Sequence, residues 1–240
     1  MYRLNVLIAC EESQAICKEF RKLGHNAFSC DIQDCSGGEP QWHIKGDVRG
    51  LLNRNNIAFL TQDRKLHTLY EWDLIIAHPP CTYLSIAATR SYSVKCRGKM
   101  AVEERIKKRD EAADFFFNFV YANCKHVAIE NPVGYMSTVY GLKKADQIIH
   151  PYMFAEGIDD EVNYTKKRTC LWLYGLPKLK INNLVAPDLS KMYGKRSNGK
   201  NRSWTENRHG SVKRSKTFPG IAKAMAEQWS EYLLKECCNE

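Results

Sequence analysis

Cys81 stands directly behind two prolines, in Ile75-Ile76-Ala77-His78-Pro79-Pro80-Cys81. Consecutive prolines fix the backbone and remove two donors, so the next residue is held stiffly. A thiol presented in this way is either a nucleophile, if its pKa is depressed, or a packed and inert cysteine. Glu130 follows the apolar run Val127-Ala128-Ile129 and precedes Asn131-Pro132. A carboxylate there is costly unless paired or functional, and partial burial is expected to raise its pKa so that it gives up a proton near neutrality. A cap or an ion pair is the structural alternative. Asp31 ends another such segment, where an acid accepts hydrogen bonds from ribose hydroxyls in nucleoside-binding folds; plain loop acidity is the alternative. The turn Ala9-Cys10-Glu11-Glu12-Ser13-Gln14 contains no glycine. Its acids would repel a pyrophosphate but tolerate an uncharged or cationic nucleoside. Cys30, Cys35, His25 and His43 lack a clean zinc spacing, so no metal is expected.

The elements that must position these groups follow from periodicity. Leu4–Ala9 reads as a buried strand, and Gln14–Leu23 as a helix with apolar residues at Ala15, Ile16, Phe20 and Leu23, stopped by Gly24. Asn26–Asp31 and Asp73–Ala77 read as strands, and a short segment ends at Gly46-Asp47. Residues 101–123 carry the strongest helical pattern. Val127–Ile129 and Arg168–Tyr174 are further strands, and Ile221–Lys235 is a terminal amphipathic helix. Strands alternating with helices predict an α/β parallel sheet, which binds ligands at the carboxyl ends of its strands. The chemically unusual residues fall at those ends.

The chain has 240 residues, with 44% hydrophobic and 26% charged side chains, which excludes disordered and fibrous classes. No apolar run reaches the roughly 18 residues of a membrane span, and the amino terminus does not read as a signal peptide. Ten scattered cysteines are expected to be reduced thiols in a cytoplasmic protein. The net charge of +9 is local: residues 178–216 hold eleven Lys and Arg against Asp188 and Glu206, which accounts for the whole excess. A basic segment on a neutral body points to a polyanion, with Tyr193 and Trp204 available to stack on bases; a solvated loop is the alternative.

The ordered set resembles the DNA cytosine-5 methyltransferase family, especially its small phage-type members. Pro79-Pro80-Cys81 resembles the family's Pro-Cys nucleophile motif and Glu130-Asn131-Pro132 its Glu-Asn-Val motif. The stretch Thr165-Lys166-Lys167-Arg168-Thr169-Cys170-Leu171-Trp172-Leu173 is similar to its Gln-x-Arg-x-Arg strand, and Lys216-Thr217-Phe218-Pro219-Gly220-Ile221-Ala222 to its C-terminal motif. The match spans most of the chain in the family's order.

The resemblance implies a Rossmann-like S-adenosylmethionine-dependent methyltransferase sheet with helices on both faces. Residues 1–176 and 217–240 would form the catalytic domain, and 177–216 a short basic target-recognition region. It implies that Cys81 adds to carbon 6 of a flipped cytosine, that Glu130 acts at ring nitrogen 3, and that Arg168 holds the base oxygen. S-adenosylmethionine would be held by Ala9, Cys10, Glu11, Ser13, Gln14, Asp31, Ile32, Asp47, Val48 and Pro79. Lys195, Arg196, Lys200, Arg202, Arg208, Lys213 and Arg214 would contact DNA, mostly at phosphates, with little sequence specificity. A monomer is expected, with protection of phage DNA from restriction as its role. The chain departs from the family in its first turn, where Ala-Cys-Glu-Glu-Ser replaces Phe-x-Gly-x-Gly, and at Cys170, which stands for the second arginine. The alternatives are a methyltransferase for a pyrimidine nucleotide or modified base, and a methyltransferase-like DNA-binding protein without turnover.

Overall fold

The computed structural model describes residues 2–202 and 216–239. The run Asn5–Ala9 (β1) is buried at four of its five positions, as a strand covered on both faces must be. It pairs in parallel with β2 (Asn26–Asp31) on one side and β6 (Leu74–Ala77) on the other, with Val6 opposite both Ala27 and Leu74. β3 (His43–Lys45) extends the sheet beyond β2, and β7 (Val127–Asn131) extends it beyond β6, both in parallel. β9 (Thr169–Tyr174) enters antiparallel between β7 and the edge strand β8 (Gln147–Ile149), giving the order β3-β2-β1-β6-β7-β9-β8.

Helices cover both faces, as expected of a Rossmann-like α/β sheet. Val6, Ile8, Leu74, Ile76 and Ala128 face α1 (Ala15–Lys22) and α5 (Pro219–Asn239), packing on Ile16, Phe20, Met225 and Trp229. Leu7, Ala9, Ile75, Ala77 and Ile129 face α3 (Lys99–Val120) through Phe116 and Phe119. Alternate strand residues therefore feed two cores, the arrangement that a pleat of period two requires. A separate antiparallel hairpin, β4 (Ile57–Leu60) and β5 (Leu66–Leu69), adds Phe59 and His67 to Phe28 and Trp72. Two short helices, α2 (Val94–Arg97) and α4 (Leu189–Tyr193), precede α3 and α5.

The carboxyl ends of β3, β2, β1, β6 and β7 form one edge, and Cys10–Gln14, Asp31, Asp47, Pro79–Cys81 and Glu130 all lie along it. Because β9 runs the other way, the residues ahead of it, Lys167 and Arg168, reach the same edge. The amino end of the 177–216 segment belongs to the body. Trp229 Nε1 donates to Pro177 O (3.1 Å), Leu179 N to Gln147 Oε1 (2.9 Å), and Lys180 N to Gln228 Oε1 (2.7 Å). Beyond it, Tyr193 and Thr165 share a hydroxyl contact of 2.8 Å.

Candidate active site

After β6 the chain keeps one more sheet bond, from His78 N to Ala9 O (2.9 Å), and then turns at the two prolines. Pro79 is buried, whereas Pro80 and Cys81 are exposed. Cys81 O accepts from Leu84 N (3.1 Å) and Ser85 N (3.0 Å), which closes a tight loop under the thiol. The neighbouring strand end holds this loop. Asn131, fully buried at the end of β7, donates from Nδ2 to Pro79 O at 2.7 Å. Beyond it, Gly134 passes so close that a Cβ there would lie 2.1 Å from Leu84 O, so no side chain fits. Arg105 of α3 lies over the rings of Tyr83 (4.9 Å) and Tyr92 (5.0 Å) and donates to Thr82 O at 3.1 Å. A cavity of about 210 Å³ opens there, lined by Tyr83, Ser91, Arg97, Arg105 and Lys108.

Glu130 lies within β7, opposite Leu171 of β9, rather than just past the strand end. Its Oε2 is 3.0 Å from His78 Nδ1, with both side chains largely buried. Burial acts to raise its carboxyl pKa, as the sequence suggested. The hydrogen bonds from His78 and Thr169 and the charges of Lys167 and His78 outweigh burial and hold it below the usual range. The expectation of a raised pKa is thereby overturned. It failed because the strand after the proline loop and the strand from the far end of the chain both bring donors, which one segment cannot reveal.

The cation acting on Glu130 is Lys167. Arg168, expected at this place, is exposed, and its charge acts on His150 and Cys170. His78 and Lys167 are thus the residues that the sequence reading missed. The signal for both was adjacency, since His78 precedes Pro79-Pro80 and Lys167 shares a basic triplet with Arg168.

The expected cofactor side is more closed. Ala9 and Val48 are buried, and Cys10 bends the chain with φ 60°, a left-handed conformation uncommon for a residue other than glycine. Burial pushes the Cys10 thiol up. The Glu11 carboxylate accepts from Ile16 N (2.8 Å) and Cys17 N (3.3 Å), filling the amino end of α1 with its own anion. Burial raises its pKa, against the pull of His78 and of those two donors.

Gln14 is fully buried and exchanges two bonds with the backbone of Glu39, at 2.8 and 3.0 Å. Gly37 makes this possible, because a Cβ there would meet Gln14 Oε1 at 2.5 Å. Ser13 lies under the same loop. Asp47 is engaged by Arg49 through both carboxylate oxygens. Asp31 accepts from Gln33 N at 2.9 Å, and Ile32 next to it is 76% exposed. Of the expected seat, then, Ile32 and Asp47 are exposed, and Cys10, Ser13 and Asp31 are half-buried.

Lys195, Arg196, Lys200 and Arg202 are exposed, around a bridge between Lys195 and Asn201. Arg208, Lys213 and Arg214 lie outside the described residues, as do Trp204 and Glu206. Among the described residues, no helix is long and apolar enough to cross a membrane, and no group of three or more His, Cys, Asp or Glu side chains is placed to hold a metal ion.

No family model and no curated protein matches the chain. Among solved structures, one similar to it is an Escherichia coli prophage-encoded protein that carries a provisional description as a DNA modification methyltransferase. It is 14% identical, with a TM-score of 0.40 over 81% of this chain and 56% of that one. The chain thus spans little more than half the length of that structure.

Proposed function

We propose that the chain is a DNA cytosine-5 methyltransferase acting through Cys81 and Glu130. The observation that carries this reading is the tether from Asn131 to Pro79 at 2.7 Å, which couples an exposed thiol and a carboxylate on adjacent parallel strand ends. A pyrimidine needs both at once. Carbon 5 of cytosine is a poor nucleophile, and adding sulfur at carbon 6 moves the π pair to carbon 5. Nitrogen 3 must take up a proton as this happens, and the Glu130 carboxylate carries it there from the Cys81 thiol. Lys167, beside Glu130, is the chain's candidate for holding the base oxygen, with Arg168 nearby.

The residues of the first turn suit S-adenosylmethionine better than a dinucleotide. The α1 terminus is already occupied by a carboxylate, which favours a cation over a phosphate, and Asp31 with exposed Ile32 offers ribose and adenine contacts. When bound, S-adenosylmethionine supplies the methyl group that the activated carbon 5 takes. Lys195, Arg196, Lys200 and Arg202 would neutralise phosphates, which helps offset the few kcal/mol needed to flip a base out of its stack.

The test is covalent trapping. With S-adenosylmethionine and a duplex carrying 5-fluorocytosine, a protein–DNA adduct is expected, and its absence under conditions where the duplex binds would overturn the reading. Binding should weaken steeply with salt. A second reading, a DNA-binding protein without turnover, is favoured by one observation: Gln14 is buried and fully engaged in the place of the seat. Calorimetry separates the two, because that protein would show no heat of cofactor binding.

A further inference from the structure

His78 has no part in the chemistry above, yet it is largely buried between two carboxylates on adjacent strand ends. The side chain is 9% exposed, and its Nδ1 lies 3.0 Å from Glu130 Oε2. Its other ring nitrogen, Nε2, is buried without a hydrogen-bond partner among the described residues. The charged groups facing it are Glu130 from β7 and Glu11 from the turn after β1, with Lys167, ahead of β9, acting on the same Glu130 carboxylate. The group next to Nδ1 is a carboxylate that only accepts, so the ring nitrogen facing it must be one that carries a proton. That neighbour places a proton on Nδ1.

We propose that His78 is the positioning residue of Glu130: its Nδ1–H holds Oε2, which fixes the carboxyl rotamer and leaves Oε1 as the oxygen that meets the substrate ring. This inference rests on the cytosine-5 reading. As the Cys81 sulfur bonds to carbon 6, the carbon 5–carbon 6 π pair moves to carbon 5, and the proton of the Cys81 thiol passes by way of Oε1 to nitrogen 3. One S–H bond breaks and one N–H bond forms, and Glu130 begins and ends as a carboxylate held at Oε2. The proton returns by the same path when the sulfur leaves. His78 takes no part in this transfer, and its contribution is the orientation of the carboxylate.

Two measurements test it. Long-range proton–nitrogen NMR on the free protein should show His78 protonated at Nδ1, with that N–H resonance altered in Glu130→Gln. A proton on Nε2 instead, or a resonance indifferent to Glu130→Gln, overturns the proposal whether or not the protein methylates DNA. In the trapping assay, His78→Leu should slow adduct formation by about 10²-fold, the scale of a misplaced catalytic group, with DNA affinity unchanged. His78→Asn keeps an N–H near the Nδ1 position and should restore most of that rate. Equal rates in the two variants at equal melting temperature would also overturn the proposal. A wild-type protein that forms no adduct refutes the cytosine-5 reading, while the tautomer still decides the role of His78.

Discussion

Two histidine–glutamate pairs lie at opposite edges of the sheet. At the carboxyl edge, His78 follows β6 and meets Glu130 at 3.0 Å; at the amino edge, His126 precedes β7 and meets Glu236 of α5 at 2.8 Å. Both imidazole side chains are 9% exposed, and both carboxyl pKa values are held below the usual range against the opposing effect of burial. Their surroundings differ. His126 Nδ1 is within 3.1 Å of Asp73 O, and Glu236 is also held by the Tyr232 hydroxyl and the charge of Lys125. That pair joins a strand to a helix and works as a clamp. The pair at His78 joins two strand ends beside an exposed thiol, with one ring nitrogen unused. The same chemical pair is thus structural or site-forming according to what else reaches it.

The sharpest way to break this contrast is at the sulfur. Cys81→Ala should abolish the adduct with 5-fluorocytosine duplexes completely, whereas His126→Asn should leave it intact; an adduct surviving in Cys81→Ala removes that residue from the mechanism. Next in size, Glu130→Gln is expected to cut turnover by about two orders of magnitude or more, while Glu236→Gln leaves turnover unchanged in steady-state assays. Asn131→Ala removes the strand-to-loop tether and should cost about 1–3 kcal/mol in urea unfolding, together with a slower adduct rate.

The smallest effect concerns acid stability. A carboxyl with a depressed folded pKa stabilises the fold above its unfolded value, and that contribution is lost as pH falls through the folded value. Glu236 should therefore contribute fully at neutral pH, begin to lose that contribution below about 4.5, the ordinary value from which it is lowered, and lose the rest as pH falls through its folded value. Because it is partly exposed, Glu236→Gln should flatten the acid limb by only about 0.5–1 kcal/mol in pH-dependent melts. An unchanged limb would show that the clamp is packing alone.

Much of the fold was legible because its strands are buried on both faces and stand out as apolar runs. Asn26–Asp31 was read to the residue, and β1, β6 and α3 within a few positions. The hairpin β4–β5 was not legible. It is half-exposed, with Leu60 at 56% and Leu66 at 63%, so its pattern lacks a clean polar face. The edge strand β8 is three residues long and too short for any period to show.

Within the site, Cys81 and Glu130 could be picked out because each follows an apolar run at the edge where ligands bind. The partners of Glu130 could not. His78, Thr169 and Lys167 reach it across strand pairings made by segments far apart in the chain, and the antiparallel entry of β9 that delivers two of them leaves no local mark. The loop over Gln14 was hidden for the same reason, since Ser36–Glu39 reads as ordinary turn residues until Gly37 is seen against the Gln14 amide.

The packing of α5 against α1 and β1 has a consequence for synthesis on the ribosome. Val6, Ile8, Ile16 and Phe20 are made more than 200 residues before Met225 and Trp229, which cover them. While the residues between them are translated, one face of β1 lacks its partner, an invitation to chaperones and to self-association of nascent chains.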